Sequence, residues 1–217
     1  MIDLHTHSLL SDGELLPCEL VRRAWVKGYE AIAITDHADF SNIDFIVPRI
    51  AKTCKILNGY WKIRAIPGVE ITHVPPERIR SLVLFARRKG AKIVVGHGET
   101  VSEPVLPGTN RAAIEAGVDI LAHPGLISLD DLKLAKTRGV YLEITTRRLH
   151  CTPNKRLIRM ARKVGAKLVV NTDSHAPEDL ITDKIRETFL KSLGVRNGEI
   201  SNIVRNSREL ISRVALK

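Results

Sequence analysis

Short apolar runs rich in valine and isoleucine recur along the chain. Each follows a helix-like stretch and a glycine, and each is closed by polar residues. The phrase appears as WVKGYEAIAITDH, RRKGAKIVVGHGE, IEAGVDILAHPG, KTRGVYLEITT and RKVGAKLVVNTDSH. Gly28, Gly90, Gly117, Gly139 and Gly165 fit the position after a helix, where a left-handed backbone closes the last turn. The runs are only four or five residues long and do not alternate, so they read as strands buried on both faces. With Ile2–Leu4 and a stretch through Ile63–Val69 they make about seven strands, each followed by a helical segment. Helices are expected over Pro17–Lys27, Phe45–Leu57, Pro76–Lys89, Asn110–Ala116, Leu129–Lys136, Asn154–Lys163 and Pro177–Leu193, with a short closing helix at Ser207–Val214.

Helices and strands that alternate with short connections predict a parallel sheet. The competing architecture is a doubly wound open sheet, which gathers its site at one switch point. Here chemically capable residues follow every strand, which favours a barrel drawing on all its βα loops. The expectation is therefore α/β: a distorted (β/α)7, TIM-like barrel forming a single domain over residues 1–217.

The hydrophobic fraction, 44%, suits a globular chain with a full core, and no apolar run is long enough to span a membrane. The first strand opens at Ile2, which leaves no room for a signal peptide, so the expected location is the cytoplasm. Cys18, Cys54 and Cys151 are odd in number and widely spaced, and read as reduced thiols without a metal role. A net charge of +10 points to an anionic partner, either a small phosphorylated metabolite or nucleic acid. Few aromatics argue against base-stacking platforms. Arg156, Arg159 and Lys163 lie at helical spacing and read as a solvated face.

Six of the eight histidines sit where the expected strands end: His5, His7, His37, His97, His123 and His175. Asp36, Glu70 and Asp173 share those ends. In an extended segment, residues two apart point to one side, so His5 and His7 can reach one ion. Asp173 and His175 form a similar pair. Asp36 either ligates, fixes an imidazole tautomer from behind, or serves as a helix-cap or turn carboxylate. Glu70 has two oxygens and can bridge two cations. His97 lies between two glycines, and Pro124 favours extended geometry at His123. Unpaired buried acids and imidazoles are costly unless cations satisfy them, which points to metal binding. His73 and His150 read as plain loop histidines.

The combination HTHSLLSDG, ITDH, PGVE, GHGE, AHPG and NTDSH resembles the PHP family, named for polymerase and histidinol phosphatase. The motifs arrive in the family's order and span nearly the whole chain. The resemblance implies a distorted seven-stranded barrel of the stand-alone phosphoesterase type, with two or three divalent ions (zinc, manganese or iron) at the strand C-termini. On that pattern His5, His7, Glu70 and Asp173 hold one metal, and Glu70 bridges to a second completed by His97 and His123. Asp12, His37 and His175 hold the third. Some members carry a histidine where Asp12 stands, and many carry asparagine where Thr145 stands. Asp36, Glu70 and Asp173 are the expected catalytic acids, and Glu143 matches a family acid placed behind a ligand or near substrate. Arg147 and Arg148, in the sixth βα loop, are candidates for gripping phosphate, and Lys155 is a weaker one.

Two cations a few Å apart lower the pKa of a shared water, and the resulting hydroxide attacks phosphorus. The leading expectation is a phosphatase acting on a small phosphomonoester, of histidinol-phosphatase type. The alternative is a PHP-type nuclease or exonuclease on DNA or RNA. A non-catalytic RNA-binding subunit related to the archaeal RNase P protein ranks below both, because here the ligand set is intact. Metal-dependent amide hydrolysis ranks lower still, since Lys62 and Lys92 lie away from the ligand end and no lysine is placed to form a bridging carbamate.

Overall fold

A computed structural model describes residues 1–215. Its strands are β1 (Ile2–Asp3), β2 (Ala31–Ile34), β3 (His37–Ala38), β4 (Arg64–Ile71), β5 (Ile93–His97), β6 (Ile120–Ala122), β7 (Tyr141–Thr145) and β8 (Leu168–Asn171). The helices are α1 (Pro17–Val26), α2 (Ile43–Tyr60), α3 (Pro76–Arg88), α4 (Thr109–Ala116), α5 (Leu129–Arg138), α6 (Asn154–Val164), α7 (Asp183–Ser192) and α8 (Asn197–Ala215). The strands run parallel in the order β1-β2-β4-β5-β6-β7-β8, and the short β3 adds to β4 beyond the end of β2. The result is a nearly closed seven-stranded parallel barrel wrapped by helices, as the repeat implies.

The sheet closes at one point. β1 and β8 meet through the bridge between Thr6 and Ser174, with His7 N–H donating to Ser174 O at 2.8 Å and Asp173 N–H to His5 O at 3.0 Å. Asp3 straps the same seam, its carboxylate accepting from Thr172 Oγ1 at 2.7 Å. Below this, α8 sends Leu210 and Ile211 into the cluster formed by Ile2, Leu4, Tyr141 and Val169.

Strand periodicity explains why the polar residues gather at one end. Ile93 and Val95 belong to this inner cluster, and His97 continues their two-residue step. Tyr141 leads in the same way to Glu143, and Val169 to Asn171. The intervening residues Val94, Leu121, Leu142, Ile144 and Val170 pack outward against the helices. Strands buried on both faces therefore carry an apolar floor and a polar rim on one side, with no break in the β pattern.

All five repeat glycines have positive φ. At the rim, Gly98 matters for a different reason. A Cβ there would collide with the carbonyl of Ala122, so glycine lets the loop after β5 lie against β6.

Two expectations at the C-terminal end needed correction. The helix expected over Pro177–Leu193 is a 3-10 turn at Pro177–Asp179 followed by α7, because Asp179 accepts from the His175 and Ala176 amides and Thr182 caps the new helix. The closing helix begins at Asn197 rather than Ser207. Asn and Gly mask its start, whereas Ile200, Ile203, Leu210 and Ile211 supply a buried stripe at helical spacing.

Candidate metal centre

His5 and His7 enter the site from the segment after β1, and Asp173 from the segment after β8. The closing bridge sets both segments side by side. Glu70 comes from β4, fully buried. Four donor atoms converge: His5 Nε2, His7 Nε2, Glu70 Oε2 and Asp173 Oδ1. The two imidazole nitrogens are 3.1 Å apart, and Glu70 Oε2 lies 3.3 Å from His5 and 3.7 Å from His7. Asp173 Oδ1 lies 3.6 Å from His5 and 3.1 Å from His7. Four ligands about 2.1 Å from a tetrahedral ion stand about 3.4 Å from one another, so this spacing is that of a coordination shell.

Glu70 turns its other oxygen to a second group. Oε1 lies 3.6 Å from His123 Nε2, and the donors of Glu70, His97 and His123 all fall within 4.8 Å of one another. A third group joins His7, Asp12, His37 and His175. Asp12 Oδ2 is 3.6 Å from His37 Nε2 and 3.2 Å from His175 Nε2. Glu70 Oε1, His7 Nδ1, His97 Nδ1 and His123 Nδ1 are buried without a hydrogen-bond partner, while Glu70 Oε2 lies 2.8 Å from His37 Nδ1. Orphaned polar atoms at this density are what a cation-binding shell leaves when only protein atoms are counted. The residues fit two to three divalent ions.

The electrostatics agree with a cluster built around positive charge. Burial works against ionised Glu70, yet the imidazoles of His5, His37 and His97 prevail and hold its pKa well below the usual range. Burial also opposes protonation of His5, but Glu143, Glu70 and Asp173 hold it well above the ordinary imidazole value. His7 goes well below, through burial and then the charges of His37 and His5. Burial lifts Asp173 to about 7, opposed by His5 and reinforced by Glu70 and Glu143.

Asp36 is not in the cluster. Its carboxylate accepts from Ser8 N at 2.6 Å, Ser8 Oγ at 2.7 Å and Ser11 Oγ at 2.8 Å. It shapes the turn that carries His7 and Asp12, the turn-carboxylate alternative. Glu143 is fully buried behind His5. Its Oε1 is 2.8 Å from His5 Nδ1, and its Oε2 accepts from the His123 amide at 3.1 Å. Arg147 borders the cleft, donating to Asp173 O at 3.2 Å with Nη1 2.8 Å from His175 Nδ1. Arg148 is exposed and lines a neighbouring hollow with Glu178, Ile181 and Phe189. Lys155 lies at the start of α6 and is exposed.

His150, expected to be a plain loop residue, is buried at the mouth. Its Nδ1 lies 2.7 Å from both Thr100 Oγ1 and Ser102 Oγ, and its ring stacks on His123 with centroids 4.4 Å apart. Glu103, unnoticed in the sequence, faces His97, His73 and His150. Its surroundings, SEPVLP, carry no periodic signal. The cleft bounded by Asp12, His37, His97, Glu103, Arg147, His150 and their neighbours holds about 60 Å³. A larger cavity of about 420 Å³, lined by Cys54, Arg64 and Lys92, involves strand starts at the opposite end of the barrel. No helix among the described residues is long and apolar enough to cross a membrane.

Comparison with known proteins bears on the family and the fold. The PHP domain model matches residues 3–104. Uncharacterized protein MJ1295 of Methanocaldococcus jannaschii is 46% identical over 215 residues, 98% of this chain and 99% of that protein. The DNA polymerase/3'-5' exonuclease PolX of Bacillus subtilis is 27% identical over 198 residues, which are 82% of this chain but 35% of PolX. Among solved structures, a chain in the cryo-EM structure of archaeal ribonuclease P with mature tRNA shares the fold. Its TM-score is 0.72 at 18% identity, covering 99% of this chain and 91% of that one. Metal-binding clusters set in this barrel make the protein a metal-dependent hydrolase. The chain belongs to the PHP-domain family.

Proposed function

We propose that the protein is a phosphatase that removes the phosphoryl group of a small phosphomonoester, with His5, His7, Asp12, His37, Glu70, His97, His123, Asp173 and His175 as its metal ligands. The observation that carries this reading is the shared carboxylate. Glu70 presents one oxygen to the His5, His7 and Asp173 donors and the other to His123. Divalent ions bound there supply an activated water and positive charge toward the oxygens of the transferring group. The chain's own residues do the rest. Glu143 fixes the His5 ring through Nδ1. Arg147, half-buried at the cleft, offers a guanidinium to phosphoryl oxygens. The small, polar cleft suits a terminal phosphoryl group better than the interior of a duplex.

The test is a panel of small phosphomonoesters assayed beside labelled single-stranded DNA and RNA, with and without chelator. Chelator-sensitive release of phosphate from monoesters is the expected result. Nucleotide release from oligonucleotides, with monoesters untouched, would establish the nuclease reading instead. That reading is favoured by the net charge of +10 and by the similarity to an exonuclease-bearing polymerase.

Glu143→Gln supplies a sharper check on the ligand set. The amide must present an N–H where the carboxylate accepted, either to His5 or to the His123 backbone. Metal affinity or turnover is expected to fall about 10–100-fold, as for other groups that orient a ligating histidine. Atomic spectroscopy after chelator competition measures the affinity.

A further inference from the structure

Glu103, on the loop between β5 and α4, faces three imidazoles from three different elements. Its Oε2 lies 3.0 Å from His73 Nε2 and 3.2 Å from His97 Nε2, and its Oε1 lies 3.4 Å from His150 Nε2. Bonds of about 2.1 Å at angles between 90° and 109° place neighbouring ligands about 3.0–3.4 Å apart. Glu103 Oε2 stands at that spacing from both His73 and His97, and the three residues' donors all lie within 4.8 Å of one another.

A second observation singles out His73. Among the described residues, three that are not glycine have positive φ: His73 at 51°, His123 at 24° and Asp173 at 54°. Each such backbone costs about 1–3 kcal/mol and persists where the surroundings demand it. His123 and Asp173 are ligands in the site proposed above. His73 shares their distortion although its side chain is 42% exposed, so core packing does not impose it.

We propose that His73 and Glu103 are metal ligands that extend outward the shell of the cation bound through His97. The extension rests on the metal centre proposed above. It adds one imidazole and one carboxylate oxygen from two loops at the cleft mouth, a donor set suited to zinc, manganese or iron. Glu103 is 35% exposed, against 3% or less for the side chains of Glu70 and Asp173. The outer pair therefore governs how readily that cation leaves.

Zinc retention tests this directly. The full chain, Glu103→Gln and His73→Ala are loaded with zinc and dialysed against graded chelator, and the ions per chain are counted by atomic spectroscopy. Each variant is expected to lose one ion at a free-zinc level at least about tenfold higher than the parent, while the remaining ions stay. The visible absorption of the cobalt-substituted variants is expected to change in intensity, because the coordination number falls. Circular dichroism of the chelated proteins checks that these loop substitutions leave the fold intact. Retention and cobalt spectra indistinguishable from the parent would overturn the proposal, leaving Glu103 as a counter-charge. A parent chain that retains no ion would overturn the metal centre itself, so the two failures are separable.

Discussion

Glu70→Gln is expected to lower kcat by at least about 10³-fold, about 4 kcal/mol of transition-state stabilisation, while the chelated variant melts no lower than the chelated parent. The two halves of this expectation have one cause. Glu70 is fully buried; its Oε2 lies 2.8 Å from His37 Nδ1, and its Oε1 has no hydrogen-bond partner. Its charge is favourable only beside cations. Where metal is present, the loss of one anionic oxygen to each of two ion positions dismantles the shared edge of the cluster. Where metal is absent, protonated imidazoles at His5, His37 and His97 balance the charge. Those rings can shed their protons once the carboxylate is gone, so no uncompensated buried charge remains. Exchanging a buried ionic cluster for neutral groups is commonly neutral or stabilising. Turnover on the best monoester of the panel, together with paired melting curves in chelator, measures both halves. A variant with parental turnover and full metal content would remove Glu70 from the shared position.

Removal of metal from the parent chain is expected to produce the largest stability change. A ligand present at a thousand times its dissociation constant stabilises the folded state by about 4 kcal/mol, and a chain of this size shifts its melting temperature by about 2–4 °C per kcal/mol. Each saturating ion is thus worth roughly 10 °C. The apo chain should melt lower by at least that amount, and added zinc or manganese should restore it. Calorimetry at fixed protein concentration with graded free metal measures the shift. A melting temperature indifferent to chelator would mean that the clustered imidazoles and acids are held by protein contacts alone.

Much of this site was legible because ligands at strand ends share the repeat's phrasing. His97, His123, Asp173 and His175 each close a glycine-led apolar run, so their order along the chain already implies one rim. The roles of Asp36 and Glu143 were less legible. Both are acids near strand ends, and the choice between ligating and orienting depends on whether a hydroxyl or an imidazole stands in front of them. Ser8 and Ser11 capture Asp36, and His5 captures Glu143. His73, Glu103 and His150 were invisible as partners because irregular loops carry no period. Their meeting joins the loops after β4, β5 and β7, a conjunction that no local pattern records. The start of α8 escaped for the opposite reason: poor helix formers hid a stripe set by tertiary packing.

The seam between β1 and β8 has a consequence for the life of the molecule. Leu4 and Asn171, hydrogen-bonded across it, stand 167 positions apart in the chain. Cations gripped jointly by His5, His7 and Asp173, as proposed, would tie off that span much as a disulfide would. A covalent link across so long a loop removes denatured-state freedom worth on the order of 5 kcal/mol. Such a clasp would need no oxidant, and it would open when divalent metal grows scarce. Proteolysis samples the opened form, so the amount of this protein that survives in a cell should rise and fall with the metal available to it.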